Sequence, residues 1–313
     1  MLSNFLVCIN AVIPLFILLV IGYLVRRTGL LKDEEVHRFN HMVFLVFFPP
    51  LMFQNLYGNN DGFLPDGKLL LFAVPFILCV ILLSIPLVKK IEKNPRSQGA
   101  MIQAVYRSNF ILMGLPVAIN IFGKGNVSQT ALLIAVIVPM YNVVSVIILE
   151  SFRGSKPDIG QILKKVATNP IILGAAAGIL AILLGITLPK PIATTVEWMA
   201  DVTTPMALIL LGASFDITTV KGQKRNLVFC ILMRLLVVPA AGLSLAALLG
   251  FRGVEFVALI AMLATPMAVS SYTMADSMDS DGELAGNCVI FSTPLSCITL
   301  FFWLFLFKSL GMF

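Results

Sequence analysis

Charge is what this sequence has least of. Only 12% of its 313 residues are Asp, Glu, Lys or Arg, against 58% hydrophobic, where a soluble domain carries about 25% charged residues. A chain with mean hydropathy +0.96 cannot cover a water-facing surface, which excludes a soluble globular protein. No polar stretch is long enough for a separate soluble domain. No GxxxxGK[ST] loop is present, so the chain carries no nucleotide motor of its own. The only histidines, His37 and His41, are spaced i and i+4, but no Glu follows His37 to serve as a base and Arg38 lies between them, so no zinc site is expected. The five cysteines (Cys8, Cys79, Cys230, Cys288, Cys297) fall inside apolar runs without metal-ligand spacing and read as small core residues. With no catalytic constellation and no cofactor motif, the chain is not expected to be an enzyme. Carboxylates are also missing from the middle of the apolar runs. Glu150, Glu197, Asp201 and Asp276 stand near the ends, whereas ion pumps usually keep an acidic group at the midplane, so uniport or exchange is favoured.

The apolar runs themselves carry the organisation. A membrane span needs about 20 apolar residues, and loop signals divide the chain into ten spans at 5–25, 37–57, 68–88, 101–122, 129–152, 169–188, 198–215, 227–250, 254–276 and 284–307. The first is too long for a signal-peptide core and lacks a basic leader. Lys and Arg test the count, because short cytoplasmic loops collect them. One set of alternate loops holds Arg26, Arg27, Lys32, Arg38, Lys89, Lys90, Lys93, Arg96, Arg153, Lys156, Lys164, Lys165, Lys221, Lys224 and Arg225. The other holds Lys68, Lys124, Lys190, Arg252 and terminal Lys308. Ten spans with both termini outside the cytoplasmic membrane satisfy this asymmetry. The net charge of +6 is thereby assigned to basic loops at a lipid bilayer, with no nucleic acid as partner.

Prolines and glycines repeat in register. Pro14, Gly22 and Gly29 recur 156 residues later as Pro170, Gly178 and Gly185; Pro50 recurs as Pro205 and Pro139 as Pro294 after 155, and Pro116 as Pro266 after 150. This predicts two five-helix repeats, 1–152 and 169–313, joined by a cytoplasmic linker at 153–168. Because five is odd, the second repeat enters from the opposite side, the inverted arrangement that suits alternating access. The fourth and ninth spans each hold a proline in an apolar helix, in Gly114-Leu115-Pro116 and Ala264-Thr265-Pro266, and each is expected to break there. Broken backbone at membrane depth is tolerated where it lines a cavity. Thr265 reads as the N-cap of the second half-helix and Pro266 as its first residue, pointing a partial positive charge at an anion. Met267, Ser270 and Ser271 follow it, and Asn109 stands before the other break with an amide to orient a substrate. Arg234, read as the one basic residue clearly inside an apolar run, is a candidate anion contact. An anion is therefore expected at the breaks, moved by a carrier. The alternative is a membrane sensor that keeps a transporter's architecture without flux.

These residues resemble the auxin efflux carrier family, in the bacterial branch that includes malonate carriers. The resemblance runs through Phe-Pro-Pro-Leu-Met-Phe in the second span, Gly-Leu-Pro after Asn109, Thr-Pro-Met-Ala-Leu-Ile-Leu-Leu-Gly-Ala-Ser in the seventh and Pro-Met-Ala-Val-Ser-Ser-Tyr-Thr-Met-Ala in the ninth. It implies an all-α membrane fold like that of bile acid transporters and sodium/proton antiporters, with spans one, two, six and seven as scaffold and the other six as a transport core in which helices four and nine cross. It also implies a mono- or dicarboxylate bound near the crossing, at Asn109, Pro116 and Pro266, and a homodimer paired through the scaffold. The long central cytoplasmic loop of the plant members is missing here.

Overall fold

The computed structural model describes residues 2–57, 67–122, 128–153, 160, 163–164, 167–215 and 217–313, without the side chains of 2–12, 33, 128, 217–219 and 221. The side chain of Cys8, and Gly123, Lys124 and most of the 153–168 linker, therefore lie outside what is described. Among the described residues the chain is helical, with one isolated bridge and no strand. In chain order the α-helices are α1 (Leu2–Arg27), α2 (Asp33–Met42), α3 (Phe48–Tyr57), α4 (Gly67–Ile91), α5 (Pro95–Tyr106), α6 (Leu115–Phe122), α7 (Ser128–Ser151), α8 (Pro170–Leu183), α9 (Lys190–Ser214), α10 (Ile217–Leu232), α11 (Val238–Leu248), α12 (Gly253–Leu263), α13 (Ser270–Ser277) and α14 (Gly282–Ser309).

Several starts are written in the sequence. Asn94 and Asn169 each precede a proline, and their side chains accept from the N–H of Arg96 at 3.1 Å and of Ile171 at 3.0 Å. Asn as N-cap with Pro at the first helical position is the preferred opening. Asp281 caps α14 by accepting from Leu284 N–H at 2.9 Å.

Most prolines do not break the helices that contain them. Pro14, Pro75, Pro86, Pro139, Pro205 and Pro294 lie inside continuous helices. At three others the helix widens into a π turn: Val43–Phe47 before Pro49, Phe110–Gly114 before Pro116 and Met233–Val237 before Pro239. In each case the proline stands two residues past the turn. Proline offers no N–H and crowds the carbonyl four residues back, and a π turn shifts the bonding by one residue so that the helix continues.

Five described helices are long and apolar enough to cross a membrane, within Gly67–Ile91, Gln129–Ser151, Lys190–Ser214, Gly222–Leu248 and Gly282–Ser309, and shorter apolar helices run over Phe110–Phe122, Pro170–Leu183 and Gly253–Leu263. Their outer faces are bare hydrocarbon, with Leu71 77% and Leu248 85% exposed. Arg107, Asn109, Asn142, Ser145 and Arg234 are buried instead. Apolar outside and polar at the centre is the distribution of a multi-pass membrane protein.

Packing brings distant segments together. α9 runs along α1 and also packs on α3, and α3 packs along α8. The α1–α9 contact depends on two glycines: a Cβ at Gly212 would lie 2.0 Å from Leu19 O, and one at Gly22 would lie 1.9 Å from Ile209 O. Without a hydrophobic drive between helices in lipid, such backbone contact supplies the attraction. Of the cysteines read as small core residues, Cys230 and Cys288 are buried, Cys297 is half-buried and Cys79 is exposed; all four are free thiols.

Candidate functional site

The two interrupted helices meet at their interruptions. α5 ends at Tyr106, and Arg107, Ser108 and Asn109 are non-helical before the π turn begins. α12 ends at Leu263, and the chain stays irregular until Ser270. Ser108 and Met267 pair as an antiparallel bridge. Asn109 N–H donates to Pro266 O at 2.7 Å and Ala268 N–H donates to Arg107 O at 3.3 Å. Each break thus satisfies backbone groups of the other, as buried backbone requires.

This corrects the reading of the first break. It lies at Arg107–Asn109, seven residues and more before Pro116, which sits within the helix that runs from Phe110 to Phe122, two residues past the π turn that accommodates it. Gly114 and Leu115 likewise belong to helix. Gly114 serves packing: a Cβ there would lie 2.7 Å from Ala261 O and 2.6 Å from the Phe110 ring. The second break does contain Thr265 and Pro266, but Thr265 is no N-cap. Its hydroxyl donates back to Ala261 O at 3.0 Å, and the following half-helix starts only at Ser270.

Beside the crossing lies a cavity of about 90 Å³. Its walls come from α3 (Phe48, Met52, Asn55), the first break (Arg107, Ser108, Asn109), α7 (Tyr141, Asn142), α9 (Thr204, Ala207) and the second break with the start of α13 (Ala268, Val269, Ser270). Of the residues singled out from sequence, Asn109 and Ser270 line it. Gly114, Leu115, Pro116, Thr265, Pro266, Met267 and Ser271 are not among its lining residues; Met267 N–H donates to Ser292 Oγ at 3.3 Å, and Ser271 is fully buried.

Asn109 is 5% exposed, and among the described residues its Nδ2 has no hydrogen-bond partner. A buried amide donor left unmade costs free energy, so a group that supplies an acceptor would bind there with that cost relieved.

The residue that sequence reasoning passed over is Arg107. It is 3% exposed, and its guanidinium donates to Asn142 Oδ1 at 2.6 Å, Ser270 Oγ at 2.8 Å and Ser145 Oγ at 3.1 Å, and touches Met274 Sδ at 2.6 Å. With its amide oriented by the same network, Gln103 also accepts from Arg107 at 3.1 Å. All these partners are neutral, and among the described residues no carboxylate stands within ion-pair distance of Arg107. Its charge is therefore oriented but not cancelled. The signal was present in the sequence, a lone basic residue within the 101–122 span. Asn142, in the Pro139-Met-Tyr-Asn stretch of the fifth span, was missed with it. It ties α7 to α3 through Nδ2 and Met52 Sδ, 2.8 Å apart.

Arg234 is equally buried, at 1%, but it is not an anion contact. Nε donates to Thr265 O at 3.0 Å, Nη1 to Val105 O at 3.3 Å and Tyr106 O at 3.0 Å, and Nη2 to Met262 O at 3.2 Å and Leu263 O at 2.5 Å. A guanidinium has five N–H donors, and carbonyls occupy all five.

The profile described as "Membrane transport protein" matches residues 7–304. A protein of Methanocaldococcus jannaschii named "Uncharacterized transporter" is 23% identical over 303 residues, covering 94% of this chain and 97% of that one. A Methanothermobacter thermautotrophicus protein with the same name is 23% identical over 301 residues, covering 94% and 96%. A Rhizobium meliloti protein named "Putative malonate transporter" is 23% identical over 307 residues, covering 95% of each chain.

Proposed function

The chain belongs to the membrane transport protein family, that of the auxin efflux carriers its motifs resemble, and on that premise we propose a secondary carrier that moves a small organic anion, a mono- or dicarboxylate, across the cytoplasmic membrane by alternating access. The observation that carries this reading is Arg107, a buried guanidinium hydrogen-bonded only to neutral groups and lining the cavity at the crossing. A charge at membrane depth marks a substrate pathway by default, and the uncancelled positive charge of Arg107 favours an anion in the adjoining cavity. The free Nδ2 of Asn109 adds a neutral donor on the same wall. Beyond the breaks, the helices that begin at Phe110 and Ser270 add the partial positive charge of their first turns. The malonate-transporter name carried by one relative supports a carboxylate as the substrate class.

The architecture that goes with this function has ten spans in two inverted repeats, 1–152 and 169–313, with both termini outside. It is supported by a reciprocity in the packing. α1 of the first span lies along α9 of the seventh, and α3 of the second lies along α8 of the sixth, which is what exchange of the two repeats requires. Breaks in the fourth and ninth spans form the second such pair. Spans one, two, six and seven act as scaffold, pairing two copies into a homodimer, and the remaining spans carry the crossing. The cavity has walls from both groups, so movement of one past the other would open it to either side.

The test is uptake by purified protein in liposomes with labelled malonate, other dicarboxylates and aromatic monocarboxylates. Saturable flux of at least one is expected. Binding without flux across the panel would sink the carrier reading in favour of a sensor.

A further inference from the structure

Arg234 takes no part in the proposed anion site, yet its surroundings are specific. It stands in the π turn Met233–Val237, braced by Trp303 Nε1, which donates to Leu235 O at 2.9 Å. Its guanidinium meets the carbonyls of Val105 and Tyr106, the last two residues of α5, those of Met262 and Leu263, the last two residues of α12, and that of Thr265 in the second break. A helix leaves its final carbonyls without intrahelical partners, and each C-terminus carries roughly half a unit of negative charge. Two such ends face one another here. Among the described residues no carboxylate pairs with Arg234, so the helix ends themselves are its counter-charge. In carriers with discontinuous helices, unwound carbonyls and half-helix C-termini are the groups that coordinate sodium.

We propose that Arg234 is a tethered substitute for an alkali cation: it occupies the carbonyl cage between the two helix ends permanently, so the crossing assembles and keeps its charge balance without sodium. A guanidinium suits the cage better than an ammonium would, since it presents five donors in a fixed plane to five acceptors, where lysine has three. The inference goes beyond the carrier reading, because it concerns which ion the fold requires and holds whatever the substrate is.

Thermal unfolding of the whole protein in lipid nanodiscs tests it without reference to flux. The wild-type Tm is expected to be the same in sodium, potassium and choline chloride at equal ionic strength. Arg234→Ala is expected to unfold at a lower temperature and to recover part of the loss in millimolar guanidinium chloride, with no recovery in choline. Arg234→Lys should lie between the two, and it carries the comparison if the alanine variant does not fold. Wild-type protein stabilised by sodium over potassium and choline would overturn the proposal. So would an Arg234→Ala or Arg234→Lys protein with the parental Tm.

Discussion

Asn109→Ala separates binding from stability better than any other change at the crossing. In most buried networks the loss of a polar side chain damages both, because its partners are orphaned. Among the described residues Asn109 Nδ2 has no partner to orphan, and the backbone bond that ties Asn109 to Pro266 O survives truncation of the side chain. The variant is therefore expected to fold with a Tm within a degree or two of the parent, since a surplus buried donor is removed along with some packing. Affinity behaves differently. A hydrogen bond to a charged group is worth about 1.5–3 kcal/mol, and about 1.4 kcal/mol is tenfold in affinity, so Kd for a carboxylate should rise about 10- to 150-fold. The assay is equilibrium binding of the best ligand from the liposome panel to nanodisc protein, with Tm measured on the same preparation. Parental affinity in Asn109→Ala would refute a role for the amide in binding. A Tm loss equivalent to the affinity loss would refute the claim that Nδ2 is free for a ligand.

Pro116→Ala is expected to be nearly parental in uptake, because Pro116 lies within the Phe110–Phe122 helix and not at the break. Pro266→Ala should impair uptake, since it loosens the irregular stretch whose carbonyl receives Asn109 N–H; equal effects would count against the assigned position of the first break. Glu92, between α4 and α5, supplies a pH dependence. Its carboxylate accepts from the N–H groups of Asn94 at 2.8 Å and Lys93 at 2.7 Å and from Asn226 Nδ2 at 2.5 Å. The Asn94 N–H, aided by Asn226 and Lys93, outweighs the opposing effect of burial and holds the carboxyl below its ordinary range. A depressed folded-state value means the stabilisation is complete above the unfolded value of roughly 4.3 and is lost as pH falls through the folded one. The wild-type Tm should accordingly drop more steeply below that pH than the Tm of Glu92→Gln, and parallel curves would remove Glu92 from the account. For topology, a cysteine placed at Ser309 should react with an impermeant reagent added to intact cells. Reaction only after permeabilisation would reverse the orientation inferred from Lys and Arg.

Proline was the most visible feature of the sequence and the least direct guide to local structure. It marked the right stretches, because the helices within 101–122 and 254–276 are interrupted, but it located only one interruption correctly. At Pro49, Pro116 and Pro239 the chain answers the missing N–H with a π turn, a response that depends on neighbouring packing and has no signature in residue order. The first break is set instead by its tertiary partners: the bridge to Met267 and the guanidinium of Arg234, both remote in sequence. Asn109 was legible because an amide in an apolar run is conspicuous. Arg107 was equally legible, a basic residue two positions before Asn109 in the same apolar run. The role of Arg234 was not readable at all, since its acceptors are backbone carbonyls that exist as a cluster only once two helices have ended side by side.

The exchange of hydrogen bonds between the two breaks also bears on how the protein is made. When the ribosome has delivered α5 and the Arg107–Asn109 stretch to the membrane, the groups that will complete them are still unsynthesised: Arg234 for the carbonyls of Val105 and Tyr106, Pro266 for Asn109 N–H and Ala268 for Arg107 O. Until then the first break holds unpaired backbone in hydrocarbon, where each such group costs several kcal/mol. The N-terminal half is thus an unfinished client of the insertion machinery, to be sheltered by the translocon or by water until the second half arrives. Truncation after the linker would leave a fragment bound for quality control rather than a half-carrier awaiting its partner.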